Sequence, residues 1–298
     1  MATNLSPGRS AELHAAVADA CAQMNIVATQ AELIKYTVNA VFRLHGQPII
    51  VRVGAGDVGE ARGARLVRVA RWLAQAGAPI SPILDGPQPV YVAGRYTVTF
   101  WHELSTQPAW SPRELADPLR VIHSLAPDNA LPEWNPFDTA RQRLAAADGA
   151  VARDDLKWLG EQWSAAEHDY RSVAPMMPTG IVHGDPHTGN LLRDGRGRVV
   201  LCDLDETGIG PLAWDLVPQA VGAVRFDRAD FYAEFIEAYG ADVRVEPFWP
   251  VLARIRELIM VTSVLPDLGQ RPAVAAQHAH RLATLRAGNR TATWSLYR

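Results

Sequence analysis

Residues 181–216, IVHGDPHTGNLLRDGRGRVVLCDLDETGIGPLAWDL, decide how this chain is read. They gather Asp185, Asn190, Asp203, Asp205 and Asp215 among short apolar runs and glycines. An apolar start, Ile181-Val182, leads into His183-Gly184-Asp185, and a second apolar run, Val199-Val200-Leu201-Cys202, ends on Asp203. β-Branched runs bounded by Gly, Pro, Asn and Asp read as strand, loop, strand. Asn190 follows Asp185 by five positions, a loop short enough to turn back on itself with Pro186 and Gly189 as punctuation. A hairpin turning at residues 193–197, RDGRG, would then return the chain and set Asp203 beside Asn190.

These side chains match the demands of phosphoryl transfer from a nucleotide, which is mostly positioning and charge stabilisation. A carboxylate must orient or deprotonate the accepting hydroxyl, and Asp185 is the candidate. Magnesium takes hard oxygen ligands yet keeps several waters and phosphate oxygens, so one or two protein groups suffice. Asn190 and Asp203 supply that chemistry. His183 reads as a loop residue bonding backbone near the base, and His187 as either a loop brace or a site contact. Asp205 is open between a second metal ligand, an acceptor contact and a solvated loop acid. Asp215 reads as a buried hydrogen-bond acceptor.

Outward from this stretch, 298 residues with 48% hydrophobic content suffice for one large or two medium domains. A net charge of -3 gives no field for nucleic acid or an anionic membrane, so neither is expected as a partner. Lys35 and Lys157 are the only lysines, leaving 27 of the 29 basic residues as arginine. Cys21 and Cys202 lie far apart and show no metal-ligand spacing, which suits a reducing compartment. With no apolar signal core at the start and no run long enough to span a bilayer, the expected location is the cytoplasm.

The first hundred residues alternate helix and strand signals. Residues 10–24 predict a helix capped by Ser10, followed by strand runs at 33–36, 40–44 and 49–53. Residues 57–75 place Leu66, Val69, Ala70 and Leu73 on one helical face, and residues 89–92 and 96–101 form a hairpin across Ala93-Gly94. After residue 101 helices dominate, at 111–125, 137–147, 153–173, 227–239, 246–263 and 273–286. The expected fold is therefore α+β and two-lobed: a small β-rich lobe at 1–100, a hinge at 101–106 and a mainly helical lobe at 107–298. A cleft between lobes is the usual place for a small-molecule site.

Two other phosphate chemistries share these residues. Asp203-Leu204-Asp205-Glu206-Thr207 fits the D-x-D-x-T start of a phosphatase whose first aspartate is a nucleophile. No lysine follows Lys157 to assist it, and under a hundred residues remain for the rest of such a domain. Asp185-Pro186-His187 offers the start of a two-metal phosphoesterase, but the later Gly-Asp and Gly-Asn-His elements are missing.

The pattern His183-Gly184-Asp185, His187, Asn190, then a strand and Asp203, resembles the aminoglycoside phosphotransferase and choline kinase family, a branch of the protein-kinase-like fold. Gly210-Pro211-Leu212-Ala213-Trp214-Asp215-Leu216 is similar to a later element of the same family. The resemblance implies a two-lobed kinase-like fold and ATP, or another nucleoside triphosphate, with magnesium. It further implies Asp185 as catalytic base, Asn190 and Asp203 as metal ligands, and Asp215 as a brace for the catalytic loop. In kinase-like folds a third-strand lysine holds the nucleotide phosphates, braced by a helix glutamate. Here Arg52 stands at that place, either clamping phosphate or lying on the strand surface, and Glu60 either braces it or closes a capping box with Asp57. No glycine-rich phosphate loop precedes it, so backbone amides near Thr37 and Asn39 are expected to meet the phosphates. The adenine is expected against the backbone of Trp101 to Glu103.

The acceptor implied is a small hydroxyl compound such as an amino sugar, aminoglycoside or amino alcohol, with the protein a monomer or homodimer. The acids Asp227, Asp230, Glu234 and Glu237 could attract a cationic acceptor, although Phe231, Phe235 and Tyr239 make their helix a core element whose acids are more simply its solvated face. A kinase-like regulator that binds a nucleotide or metabolite with weak or no transfer is the alternative reading.

Overall fold

The computed structural model describes residues 5–27, 30–36, 39–107, 109–128, 130–147, 149 and 151–297, apart from the side chains of 57, 58 and 270. The chain starts with α1 (Pro7–Gln23), β1 (Ala31–Tyr36), β2 (Ala40–Leu44), β3 (Ile49–Ala55), α2 (Gly56–Gln75), β4 (Val90–Val92) and β5 (Tyr96–His102). It continues through α3 (Pro112–Ser124), α4 (Pro136–Ala145), α5 (Arg153–Val173), β6 (Thr179–Val182), β7 (Leu191–Arg193), β8 (Val199–Leu201) and β9 (Gly208–Pro211). Helices α6 (Val217–Arg225), α7 (Ala229–Tyr239), α8 (Trp249–Thr262) and α9 (Pro272–Arg286) follow. An antiparallel sheet early and helices later make the fold α+β. Two units result: 1–109 with 128–132 and 189–207, and 110–127 with 133–188 and 208–298. The 189–207 segment thus belongs with the first unit, although in sequence it lies within the expected helical lobe.

The first unit is built on a five-stranded antiparallel sheet in the order β1-β2-β3-β5-β4. Alternation along β2 and β3 sends Ala40, Phe42, Leu44, Val51 and Val53 into a core with Leu13, Val17 and Ala20 of α1. Helix α1 starts earlier than the sequence predicts. Ser6 is its cap, accepting from the Arg9 N–H at 3.2 Å, and Pro7 opens the helix with a φ already suited to it. Helix α2 buries Leu66, Val67, Val69, Ala70 and Leu73, and Gly63 lets it approach β5, since a Cβ there would collide with the Thr97 methyl. The β7–β8 hairpin is tied to this unit by paired bonds between Ser105 and Arg193 (2.8 and 3.2 Å) and from the Leu201 N–H to the Pro79 carbonyl (2.9 Å). Asp194 closes the hairpin turn, its Oδ1 accepting from the N–H groups of Arg196 and Arg198 at 2.9 and 2.8 Å.

The second unit packs helices around the antiparallel β6–β9 pair. A capping box between Ser111 and Glu114 starts α3, which lies against α7. Helix α7 buries Tyr232, Phe235 and Ala238, so its core stripe is offset by one residue from the Phe231 and Tyr239 spacing read in the sequence. Asp230, Glu234 and Glu237 are exposed on its other face. Helix α6 carries no separate signal in the sequence because Val217, Pro218, Gln219, Ala220, Val221 and Gly222 are all buried. A helix whose first six residues are buried on every face has no polar face there to reveal its period. Among the described residues no helix is long and apolar enough to cross a membrane.

Candidate active site

One cavity of about 500 Å³ opens in the first unit. Its walls include Asn39, Arg52, Trp101, Glu103, Asn190 and Asp203, residues drawn from five separate stretches of chain. The apolar part comes from Val41, Ile50, Leu66, Trp101 and Leu192, and the polar part from Lys35, Arg52, Asn190 and Asp203. A volume of this size, apolar with a few convergent polar groups, is typical of a small-molecule site. The β7–β8 hairpin does what its turn residues suggest: the Cys202 N–H donates to the Asn190 carbonyl at 2.9 Å, and Asn190 and Asp203 both line the cavity. Hard oxygens from an amide and a carboxylate fit magnesium, which asks for few protein ligands. Asp203 has φ 63° and ψ 63°, a left-handed conformation that aspartate tolerates better than most side chains.

Arg52 lies on β3 opposite Thr99 of β5, with its side chain only 17% exposed, so it is no surface residue. Its guanidinium is engaged through all three nitrogens. Nη1 donates to Asp203 Oδ1 at 3.4 Å and Nη2 to Asp205 Oδ2. With its amide oxygen turned inward, Asn39 accepts from Nη2 and Nε at 2.5 and 3.3 Å. Asp205, left open in the sequence, is thus the close partner of Arg52. Glu60 takes neither of the roles considered for it: it is exposed, and α2 starts at Gly56 after Ala55, which places Asp57 inside the first turn rather than at the cap. Although the Asp203 side chain is 42% exposed, desolvation by its neighbours and the Asp205 charge push its carboxyl upward against the pull of Arg52 and Lys35. Burial also resists ionisation of Asp205, but Arg52 outweighs it and holds this carboxyl below the usual range.

The backbone expected to meet a base is partly committed. The Glu103 N–H donates to the Pro48 carbonyl at 2.7 Å and the His102 N–H to the Pro82 carbonyl at 3.0 Å. The Glu103 carboxylate accepts from Arg43 Nε at 2.6 Å. Trp101 packs with 9% exposure, its indole N–H donating to Thr99 Oγ1 at 3.0 Å, while still lining the cavity. Thr37 lies outside the described residues.

In the second unit the loop after β6 carries Asp185. Its buried organiser is Asp215, which has no exposed surface and accepts from the N–H groups of His183 (2.6 Å) and Gly184 (2.9 Å). His123 of α3 donates its Nε2–H to the same carboxylate at 2.9 Å, and its Nδ1 accepts from the Tyr239 hydroxyl at 2.7 Å. These partners fix the ring's tautomer. The Trp214 indole donates to the Gly184 carbonyl (2.7 Å) and the Gln219 amide to the Pro186 carbonyl (2.8 Å). His183, fully buried, accepts the Asp185 N–H on Nδ1 at 3.3 Å. The loop is therefore held on both sides of Asp185 by Trp214 and Asp215 of the short helical turn at 212–216 and by Gln219 of α6, with His123 of α3 bracing Asp215 from behind.

Asp185 itself forms an ion pair that the sequence does not announce. Arg256 of α8, with its side chain 12% exposed, donates to Asp185 Oδ1 at 2.7 Å, and His187 Nε2 stands 3.8 Å from Oδ2. Burial works against the charged form of Asp185, but Arg256 prevails and the carboxyl stays below its ordinary range. Arg256 lies 71 residues from its partner, and an arginine on a helix among 27 arginines gives no signal in the sequence. Lys35 and Cys202 also line the cavity without having been singled out. Burial pushes the Cys202 thiol up to about 12, and both cysteines are free.

A β-rich unit with a cavity lined by apolar and polar groups, and a helical unit with a braced aspartate loop, are the parts of a protein-kinase-like fold, and solved structures bear this out. A choline/ethanolamine kinase family protein from Mesorhizobium loti is similar with TM-score 0.60 and 18% identity over 91% of this chain and 94% of that one. Choline kinase LicA from Streptococcus pneumoniae, also solved in complex with AMP, is similar with TM-score 0.63 and 12% identity over 92% and 99%. Aminoglycoside phosphotransferase APH(3'')-Id from Streptomyces rimosus gives TM-score 0.58 and 20% identity over 82% and 95%. Comparison with curated protein sequences gives no match. The sequence profile of the phosphotransferase enzyme family, APH, matches residues 36–258, and the chain belongs to that family.

Proposed function

We propose that this protein transfers the terminal phosphoryl group of ATP, or another nucleoside triphosphate, to a hydroxyl of a small acceptor. The observation that carries the reading is the convergence of Asn39, Arg52, Trp101, Glu103, Asn190 and Asp203 on one cavity of about 500 Å³. The AMP bound by its structural neighbour LicA supports a nucleotide there. Asn190 and Asp203 would hold magnesium, which supplies charge neutralisation at the transferring phosphate. Asp185, ionised and oriented by Arg256, accepts the proton of the attacking hydroxyl. Asp215 and His183 hold the loop on which Asp185 stands, His187 lies against its second oxygen, and Asp205 anchors Arg52. Backbone near Thr37 and Asn39 faces the phosphates. The base lies along residues 101–104, using carbonyls and the Leu104 N–H in place of the committed donors of His102 and Glu103. Residues 101–106 act as the hinge of a two-lobed enzyme, working in the cytoplasm as a monomer or homodimer.

The acceptors of the choline kinase and aminoglycoside phosphotransferase neighbours make amino alcohols, amino sugars and aminoglycosides the first compounds to try. The test is nucleotide consumption with magnesium across a panel of these compounds and of neutral sugars and nucleosides. Consumption that depends on one acceptor class is the expected result. Tight nucleotide binding with no consumption for any acceptor would favour the second reading, a kinase-like regulator. The engagement of Arg52 by two carboxylates and of Asp185 by Arg256 is what keeps that second reading in view.

A further inference from the structure

If Arg52 is committed to Asp203, Asp205 and Asn39, the phosphates of a nucleotide need another cation. Three basic side chains line the cavity: Lys35, Arg43 and Arg52. Arg43 is paired with Glu103 at 2.6 Å and with Glu32 at 3.3 Å. Lys35 has no ion-pair partner among the described residues, is exposed, and acts as a nearby positive charge on both Cys202 and Asp203.

The backbone of β1 explains how Lys35 comes to face the cavity. Leu33 pairs with Phe42 and Lys35 pairs with Val41, leaving Ile34 as an extra residue in the ladder. Phe42 points into the core, whereas Val41 lines the cavity. Before this bulge Ala31 and Leu33 pack on the core; after it Tyr36 does, and Lys35 has moved to the cavity face. In a regular ladder Lys35 would oppose Ala40 and point into the core. An extra residue re-aims the side chains beyond it, a device common beside active sites. The strand ends at Tyr36, just ahead of Asn39, near which the phosphates are expected.

We propose that Lys35 on β1, and not Arg52 on β3, grips the phosphate chain of the nucleotide, while Arg52 orders Asp203 and Asp205. This rests on the nucleotide reading of the cavity. An ammonium suits the task because it is a compact charge on a flexible stem that can follow a phosphate chain.

The test is calorimetric titration of the wild-type protein, Lys35→Met and Lys35→Arg with ATP and, separately, with adenosine, all with magnesium. Lys35→Met should bind ATP about 10- to 100-fold more weakly, as expected for loss of a charge-assisted contact. Its adenosine affinity should stay at the wild-type value, and Lys35→Arg should recover part of the ATP affinity. Unchanged ATP affinity in Lys35→Met would overturn the assignment alone, as would an equal loss for ATP and adenosine, which would mean a packing role. Failure of the wild-type protein to bind either compound would overturn the nucleotide reading together with the assignment.

Discussion

Asp185 shows how a single residue can be legible in its identity and illegible in its setting. The motif around it marks it out, but its carboxylate is governed by Arg256, brought from α8 to 2.7 Å. The groups that face it are Arg256 from α8 and His183 and His187 from its own loop. Burial alone would raise its pKa, and Arg256 is the main cause of the net lowering. As the proposed base it must be ionised, so the limb of the activity profile that Asp185 itself sets is expected below the ordinary carboxylate range, separate from any limb set by Asp203. Arg256→Met removes the opposing charge and leaves burial unbalanced. The acid limb of the kcat profile should then move to higher pH, while the protein still binds nucleotide. An unmoved limb would show that Arg256 does not govern this carboxylate. Arg52 carries the same lesson: its place on β3 is plain in the sequence, but its partners Asp203 and Asp205 lie 151 and 153 residues away. Pairings over such separations follow from topology, which local periodicity does not encode.

At the scale of elements, period and turn chemistry account for most of what is seen. Strands β2 to β5, and helices α2, α3, α5 and α9, fall within a few residues of the places their apolar spacing and caps suggest. The misses have physical causes. Helix α6 is buried on every face over residues 217–222, and the bulge at Ile34 shifts β1 by one residue without any glycine or proline to mark it. The contact between α2 and β5 depends on Gly63, because any side chain there meets Thr97. Gly63→Ala should push α2 away from the sheet and destabilise the protein by about 1–3 kcal/mol, the range for overpacking a close contact. Urea unfolding would measure it; a midpoint equal to wild type would mean that the sheet and helix adjust freely.

For the molecule as a whole, α+β architecture and kinase-like character follow from the order of strands and helices and from residues 181–216, and family membership agrees with both. The residues proposed for magnesium and for the base could be read early because they are close in sequence, from Asp185 to Asp203. The proposed phosphate grip could not, since it turns on which cation is already engaged. Residues 189–207 join the first unit while Asp185 stands on a loop of the second, so the proposed catalytic segment runs from one unit into the other along the chain. The most direct measurement is transfer of label from γ-labelled ATP to an acceptor found in the panel, comparing wild type with Asp185→Asn. The account predicts a labelled phosphorylated acceptor from wild type and a loss of about 10²- to 10⁴-fold in Asp185→Asn, the usual contribution of a general base, with ATP affinity retained. Full transfer by Asp185→Asn, or label released from wild type only as inorganic phosphate, would contradict it.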